Sequence, residues 1–332
     1  MRAERARPVC RHVARPMLER MAAEPPSGFV QRVRRGVSYR GDKARERADR
    51  ALRRATSSAR VRPTYLVIGA QKAGTSSLHH YLSENPAVLT ARVKEVQYFT
   101  KYYARGEAWY RAQFPLVTHE YAARRRLGVS PAVGEATAAC LFDPRSPERV
   151  HAFDPEMKLI AVLRDPIERA YSAFQMELRW GRETGTFEEA LDREEAELPG
   201  VLERMLANPS LGVSSGLGRS YVARGLYADQ LERWLRLFDR EQLLILMSDD
   251  LDDDPAGTLS RAAGFLGVPE WHASEYPRRG VQKYAAMAPE TRERLAQTFA
   301  AHDRRLVELL GRELPWSDTG STEPRSSIRN AS

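Results

Sequence analysis

From Pro63 onward the chain alternates short apolar runs with stretches of helical period. The apolar runs predict strands at 64–69, 88–90, 132–135, 158–163 and 242–247. Amphipathic spacing predicts helices at 75–84, 106–113, 146–152, 166–181, 187–197, 219–237, 255–266 and 289–312. Strands separated by helices indicate an α/β domain with a mainly parallel sheet. The runs Leu159–Leu163 and Leu243–Leu246 are apolar without alternation, as strands covered on both faces are. In such sheets ligands bind at the C-terminal ends of the strands. Leu231, Trp234, Leu235 and Phe238 recur at i, i+3, i+4, i+7 and are expected in the core.

Charge divides the chain. Its 332 residues carry a formal net charge of +8, yet residues 1–62 hold 18 Lys/Arg against 6 Asp/Glu, and the remainder is net acidic. A basic field confined to one end argues against a nucleic-acid-binding domain. Three regions are expected: a basic, largely disordered arm over 1–62, a folded domain over 63–316 and a flexible Ser/Thr-rich tail over 317–332. The arm offers at most weak contact with an anionic membrane. Cys10 and Cys140 are too few and too far apart for a disulfide framework or a zinc site, which suits a reducing compartment. No apolar run reaches the roughly 18 residues of a membrane helix. The arginine-rich N-terminus has no apolar core of the secretory kind. A cytoplasmic location is the expectation.

The densest chemistry lies in Tyr65-Leu-Val-Ile-Gly-Ala-Gln-Lys-Ala-Gly-Thr-Ser-Ser-Leu78. A buried strand, a glycine loop and a helix N-terminus make a phosphate cradle, with backbone N–H groups and the helix dipole favouring an anion. A nucleotide triphosphatase loop carries lysine directly after its second glycine. Here Thr75 holds that place, and the loop's lysine is Lys72. A second cluster closes the apolar run 159–163: Arg164, Asp165 and Pro166 at a helix start, with Ser172 about two turns in. An arginine and a hydroxyl directed to one point suit a phosphate monoester, although Arg164-Asp165 also reads as a capping arrangement. Lys94-Glu-Val-Gln-Tyr-Phe99 offers a carboxylate for proton abstraction, and equally a surface ion pair. The acidic run 249–254 lacks the glycine and terminal glutamate of a calcium loop and reads as a solvated helix start.

Together these segments resemble the sulfotransferases that use 3′-phosphoadenosine 5′-phosphosulfate (PAPS). The likeness is to the heparan-sulfate and N-deacetylase/sulfotransferase-like branch, bacterial type, and covers roughly residues 62–316. Residues 69–76 match G-x-x-K-x-G-[ST]-[ST], residues 164–172 match R-D-P-x-x-R-x-x-S, and residues 94–99 match K-E-x-x-[FY]-F. The resemblance implies a P-loop-like, three-layer α/β/α fold around a mainly parallel sheet. It implies that Gln71, Lys72, Ala73, Gly74, Thr75, Ser76 and Ser77 hold the 5′-phosphosulfate, and that Arg164 and Ser172 hold the 3′-phosphate. Lys72 would meet charge on the leaving phosphate, and Glu95 would be the general base. Arg278-Arg-Gly-Val-Gln-Lys-Tyr284 resembles the family's K-G-R-K-Y loop only at Lys283 and Tyr284, which are the nucleotide contacts it implies. Gly134-Glu-Ala-Thr137 lies where relatives border the acceptor, which assigns Lys94, Glu135 and Thr137 to the acceptor side. Ala136 stands where many relatives have lysine, so a polyanionic acceptor of the heparan kind is not implied.

PAPS is thus the expected donor and PAP the product, with no metal called for. The acceptor is a glycan or a small molecule, taking the group on a hydroxyl rather than an amine. Two other readings stay open at this point. One is a nucleotide kinase or triphosphatase, which needs lysine at position 75 and an aspartate for Mg²⁺. The other is a non-catalytic nucleotide-fold module that works through its basic arm. The aromatic set Tyr98, Phe99, Tyr102, Tyr103, Trp109 and Tyr110 suits either stacking on a sugar or a core.

Overall fold

In the computed structural model, residues 45–208, 219–273, 275–280 and 284–317 are described. Two units separate, one up to Arg53 and one from Arg54 onward. Most of the expected basic arm, Cys10 and nearly all of the expected tail lie outside the described residues. Residues 45–55 are helical. In the second unit Arg60 and Val61 are already buried, with Arg60 Nη1 donating to Phe114 O at 2.7 Å.

That unit runs β1 (Tyr65–Gly69), α1 (Thr75–Glu84), β2 (Val88–Thr90), α2 (Glu107–Arg111), α3 (Val117–Leu127), β3 (Ala132–Ala136), α4 (Ser146–Phe153), β4 (Lys158–Leu163), α5 (Pro166–Arg179), α6 (Phe187–Ala207), α7 (Tyr227–Leu235), β5 (Leu243–Met247), α8 (Ser248–Asp253), α9 (Pro255–Leu266) and α10 (Pro289–Leu310). The five strands form one sheet in the order β2-β3-β1-β4-β5, and every pairing is parallel. The expected α/β fold with a central parallel sheet is the observed one. β1 lies in the middle, with Leu66 beside Glu135 of β3 and Leu159 of β4. All five of its residues are buried, as are the last five of β4, which is why these runs carry no polar alternation.

β3 and β1 approach closely at Gly134. A Cβ on Gly134 would lie 2.4 Å from Tyr65 O and 2.5 Å from its ring, so the two strands approach there only because residue 134 has no side chain. Around the sheet, Leu231 and Trp234 of α7 are fully buried and Phe238 nearly so, as the helical stripe predicts.

Four helices depart from the expected pattern, one of them α8, which takes up residues expected only as the start of a helix. α3 was not expected; Ala123 is its buried residue, so it shows almost no apolar stripe, and Gly128 ends it at φ +73°. α7 begins at Tyr227 rather than near 219, because the N–H groups of Tyr221, Val222 and Ala223 donate to the Glu194 carboxylate at 2.6, 2.8 and 2.9 Å. Gly225 then passes where a Cβ would meet Phe299 and Pro166 at 2.8 Å. α6 continues ten residues past the expected end, through Pro199, and buries Met205. Glu194 illustrates a general cost: a carboxylate this buried persists only because three donors face it.

Gly134→Ala should lower stability by about 1–3 kcal/mol, the usual cost of overpacking a filled core. The urea midpoint should fall with an unchanged m-value, and an unaltered midpoint would show that the β1–β3 approach is looser than described.

Candidate active site

β1 carries the chain from the middle of the sheet into the turn 70–74. Gly69 has no room for a Cβ, which would lie 2.6 Å from Leu141 Cβ, and Ala70 N–H donates to Val162 O of β4 at 2.7 Å. Lys72 takes φ +70° and Gly74 φ +98°. A Cβ on Gly74 would approach Leu251 Cδ2 at 3.2 Å, so the segment Ser248–Leu251 backs the turn. Changes of backbone handedness over a few residues line a concavity with N–H groups, and α1 adds its N-terminus at Thr75. Thr75 and Ser77 are buried, while Gln71, Lys72 and Ser76 are partly exposed. Ala73, expected among the phosphate contacts, is fully buried and packs in the core.

The end of β4 meets this turn. Arg164 Nη1 donates to Lys72 O at 3.2 Å, and Arg164 O accepts from Tyr227 Oη at 2.9 Å. The Asp165 carboxylate caps α5 by accepting from Ile167 N at 2.8 Å, so the capping role and the exposure of Arg164 coexist. Ser172 is buried two turns along α5. The Lys72 ammonium is pushed below its ordinary value, first by burial and then by the charges of Arg164 and Arg179. Cations held this close repel one another, and a bound anion relieves that repulsion. The residues therefore fit a phosphate-bearing ligand. Arg179 carried no motif signal in the sequence.

The loop before α10 reaches the same helix. Arg279 N–H donates to Ser77 Oγ at 2.9 Å, and Arg279 Nη2 lies 2.9 Å from His80 Nε2. Arg278 pairs with Asp252 at 3.1 Å. Tyr284 packs edge-on against Tyr171 with ring centroids 5.3 Å apart. Lys283 lies outside the described residues. The acidic run is accounted for by its partners: Asp252 by Arg278, Asp250 by Arg261 at 2.9 Å, and Asp254 as the cap of α9, accepting from Gly257 N at 2.9 Å.

A second cluster stands at the ends of β2 and β3. Glu95 is partly exposed, and its Oε1 accepts from Lys94 Nζ at 2.8 Å and from Ala138 N at 3.3 Å. The Lys94–Glu95 ion pair is thus present, with the carboxylate also held by backbone. Beside it His79 of α1 is driven down to about 4 by burial first, then by the charges of Lys94 and His80, so its imidazole is neutral at physiological pH. Its Nδ1 is buried without a hydrogen-bond partner.

Glu135 and Thr137 depart from the expected acceptor side. Their exposures are 0% and 1%, so neither side chain borders open solvent. Thr137 Oγ1 donates to Glu135 Oε2 at 2.7 Å and accepts from Gln97 N at 3.1 Å, while Tyr110 Oη donates to Glu135 Oε1 at 3.4 Å. The local sequence G-E-A-T places Glu135 on a strand, and only the packing of β1 and β2 beside β3 decides that it points inward. Half of the aromatic set is core: Tyr98 stacks on Tyr110 at 4.5 Å, and Phe99 and Tyr110 are fully buried, while Tyr102 and Trp109 are partly exposed and Tyr103 is exposed.

A parallel α/β sheet with a lysine-bearing glycine turn after its central strand, an arginine after the next strand and a carboxylate at the same edge defines a nucleotide-dependent group-transfer enzyme of the sulfuryl type. A family profile described as the sulfotransferase domain matches residues 62–287. The chain belongs to the sulfotransferase family, whose donor is PAPS. It is 30% identical to a crystallised sulfotransferase from Alicyclobacillus acidocaldarius, with a TM-score of 0.57 over 76% of this chain and 98% of that one. It is 32% identical over 214 residues to human heparan sulfate glucosamine 3-O-sulfotransferase 6, covering 62% of this chain and 52% of that protein. It is 25% identical over 322 residues to the membrane-associated sulfotransferase kil1 of Dictyostelium discoideum, covering 77% of this chain and 67% of that protein. The chain therefore spans about half the length of the human relative. Among the described residues no helix is long and apolar enough to cross a membrane.

Burial raises the Glu135 carboxyl to about 7 from its ordinary 4.5, with the Glu95 charge adding to the rise and the Thr137 hydroxyl opposing it. The folded state then holds a proton that the unfolded state releases, so this stabilising contribution is complete below about pH 4.5 and is lost as pH rises to about 7. Glu135→Gln should remove that slope, a difference on the order of 3 kcal/mol between pH 4.5 and 8. Urea midpoints of the two proteins across this range provide the check, and parallel curves would contradict the assignment.

Proposed function

We propose that this protein transfers the sulfuryl group of PAPS to a hydroxyl of a carbohydrate or small natural-product acceptor, with Glu95 as the general base. The observation that carries the reading is the placement of two opposite functions at one edge of the sheet. Lys72 and Arg164 present positive charge after β1 and β4, and Glu95 presents a carboxylate after β2. Transfer between two oxygens needs charge stabilisation on the leaving side and proton removal on the attacking side.

PAPS supplies the activated sulfuryl group. Lys72 stabilises the negative charge that develops on the phosphate as the sulfur–oxygen bond breaks, and the N–H groups of the turn from Gln71 to Ser77 hold that phosphate. Arg164 and Ser172 bind the 3′-phosphate and so fix the nucleotide's far end. Tyr284, and Lys283 beyond the described residues, belong to the nucleotide side. Glu95 accepts the proton of the attacking hydroxyl, and Lys94 and the Ala138 N–H orient its carboxylate toward the task. A glycan acceptor is favoured by the glucosamine hydroxyl named for the human relative. Ala136, where lysine would help bind a polyanion, favours a less acidic acceptor than heparan.

Lys72→Ala should reduce PAPS turnover by at least about 100-fold, as the loss of a principal charge stabiliser does, without altering the far-ultraviolet circular dichroism. Turnover near the wild-type rate would refute the assignment. Incubation with PAPS and a panel of amino-sugar oligosaccharides, phenols and long-chain alcohols, read by mass spectrometry, should show one SO₃ added to a glycan. In a thermal-shift titration PAP should stabilise the protein and Mg·ATP should not; the reverse would point to a kinase.

A further inference from the structure

The turn that carries Glu95 is strained. Glu95 and Gln97 both take left-handed backbone angles, φ +59° and +57°, although neither is glycine. Such residues persist only where their surroundings over-determine them. Here two N–H groups of the turn are captured by successive residues at the β3 end. Glu95 N donates to Ala136 O at 2.9 Å and Gln97 N to Thr137 Oγ1 at 3.1 Å. Thr137 N in turn donates to Val67 O of the central strand at 3.1 Å, so the clamp is anchored in the sheet. The second capture depends on one fully buried side chain, because Thr137 Oγ1 itself donates to Glu135 Oε2 at 2.7 Å.

We propose that Glu135 is a positioning residue for Glu95: its buried carboxyl, shared between Thr137 Oγ1 and Tyr110 Oη, locks the strained 95–97 turn in the shape that presents Glu95 to the acceptor. The proposal rests on the reading of Glu95 as the base, and it gives a role to a buried acid that the transfer itself does not use. A buried carboxyl costs stability unless it is fully hydrogen-bonded, so an apolar residue would serve the core better if packing were its only task. Five titratable groups face Glu135. These are Tyr65 of β1, Tyr110 of α2, Cys140 beyond β3, and Lys94 and Glu95 of the turn. Burial, first among the causes for each, pushes the Tyr65, Tyr110 and Cys140 protons upward, so these three stay neutral when Glu135 ionises. When Glu135 ionises near neutral pH, the Thr137 and Tyr110 hydroxyls hold its carboxylate more strongly, and the clamp on the turn tightens.

The full chain tests this with Glu135→Gln, Thr137→Val, Thr137→Ser and Glu95→Gln. In hydrogen-exchange mass spectrometry, Glu135→Gln and Thr137→Val should exchange the amides of residues 95–97 about tenfold faster than wild type, and Thr137→Ser should restore protection. The thermal shift produced by PAP should be the same in all four. PAP release from PAPS is then followed with an unsulfated amino-sugar oligosaccharide, chitotetraose, and with water alone, as acceptor. Glu135→Gln should lower kcat about tenfold with KM for PAPS within about twofold. It should also abolish the rise in wild-type kcat near pH 7. Unchanged amide exchange overturns the proposal, as does a pH profile that Glu135→Gln leaves intact. Full turnover by Glu95→Gln would instead overturn the reading of the base, and the exchange result would still decide whether Glu135 holds the turn.

Discussion

The burial of one strand governs this molecule. β1 has β3 on one side and β4 on the other, helices on both faces and no exposed residue. Every backbone group it owns must be paired within the sheet, and its neighbours must come close enough to do so. Gly134 and Gly69 are the two places where that closeness leaves no space for a side chain. Because all strands are parallel, their C-terminal ends open on one edge, and the chain leaves that edge in four successive turns. The phosphate turn, Arg164, the Glu95 turn and the clamp at Thr137 are therefore neighbours by topology, although they span about a hundred residues of sequence.

Charge is distributed along that edge by the same geometry. On the β1–β4 side, Lys72, Arg164 and Arg179 lie close enough to disfavour the lysine's own charge. This arrangement is unfavourable in the free protein and favourable around a phosphate. On the β2–β3 side two carboxyls stand together, one partly exposed and one fully buried, and the charge of the first adds to the burial that disfavours ionising the second. The exposed member, Glu95, has the access a base requires. The buried member, Glu135, has the donors an anchor requires. The cations and the carboxylates are thus separated by the width of a few strands, the arrangement that the proposed in-line transfer requires.

The elements carried by strong local pattern were legible in the chain. All five strands fall where the apolar runs place them, and β1 and most of β4 are apolar without alternation because both faces are buried. Where local signal was weak, expectation failed. α3 buries almost no side chain and shows no stripe, and α7 starts late because Glu194, some thirty residues away, takes the N–H groups that would have extended it. α6 runs on through Pro199 because Met205 finds a buried site against the body of the protein.

The sequence by itself determined the cradle, its displaced lysine and the arginine that follows β4, since each is a short motif whose chemistry depends on residues a few positions apart. It also placed Glu95 after β2 and Glu135 on β3. Only the tertiary structure decided which of the two is buried. Burial is set by what packs alongside, and Glu135 is sealed by Tyr65 and Tyr110, which lie far from it in the chain. Sequence spacing places a carboxyl on a strand, but solvent access and donor count come from neighbouring strands and helices, and those decide whether it can work as a base or as the anchor behind one.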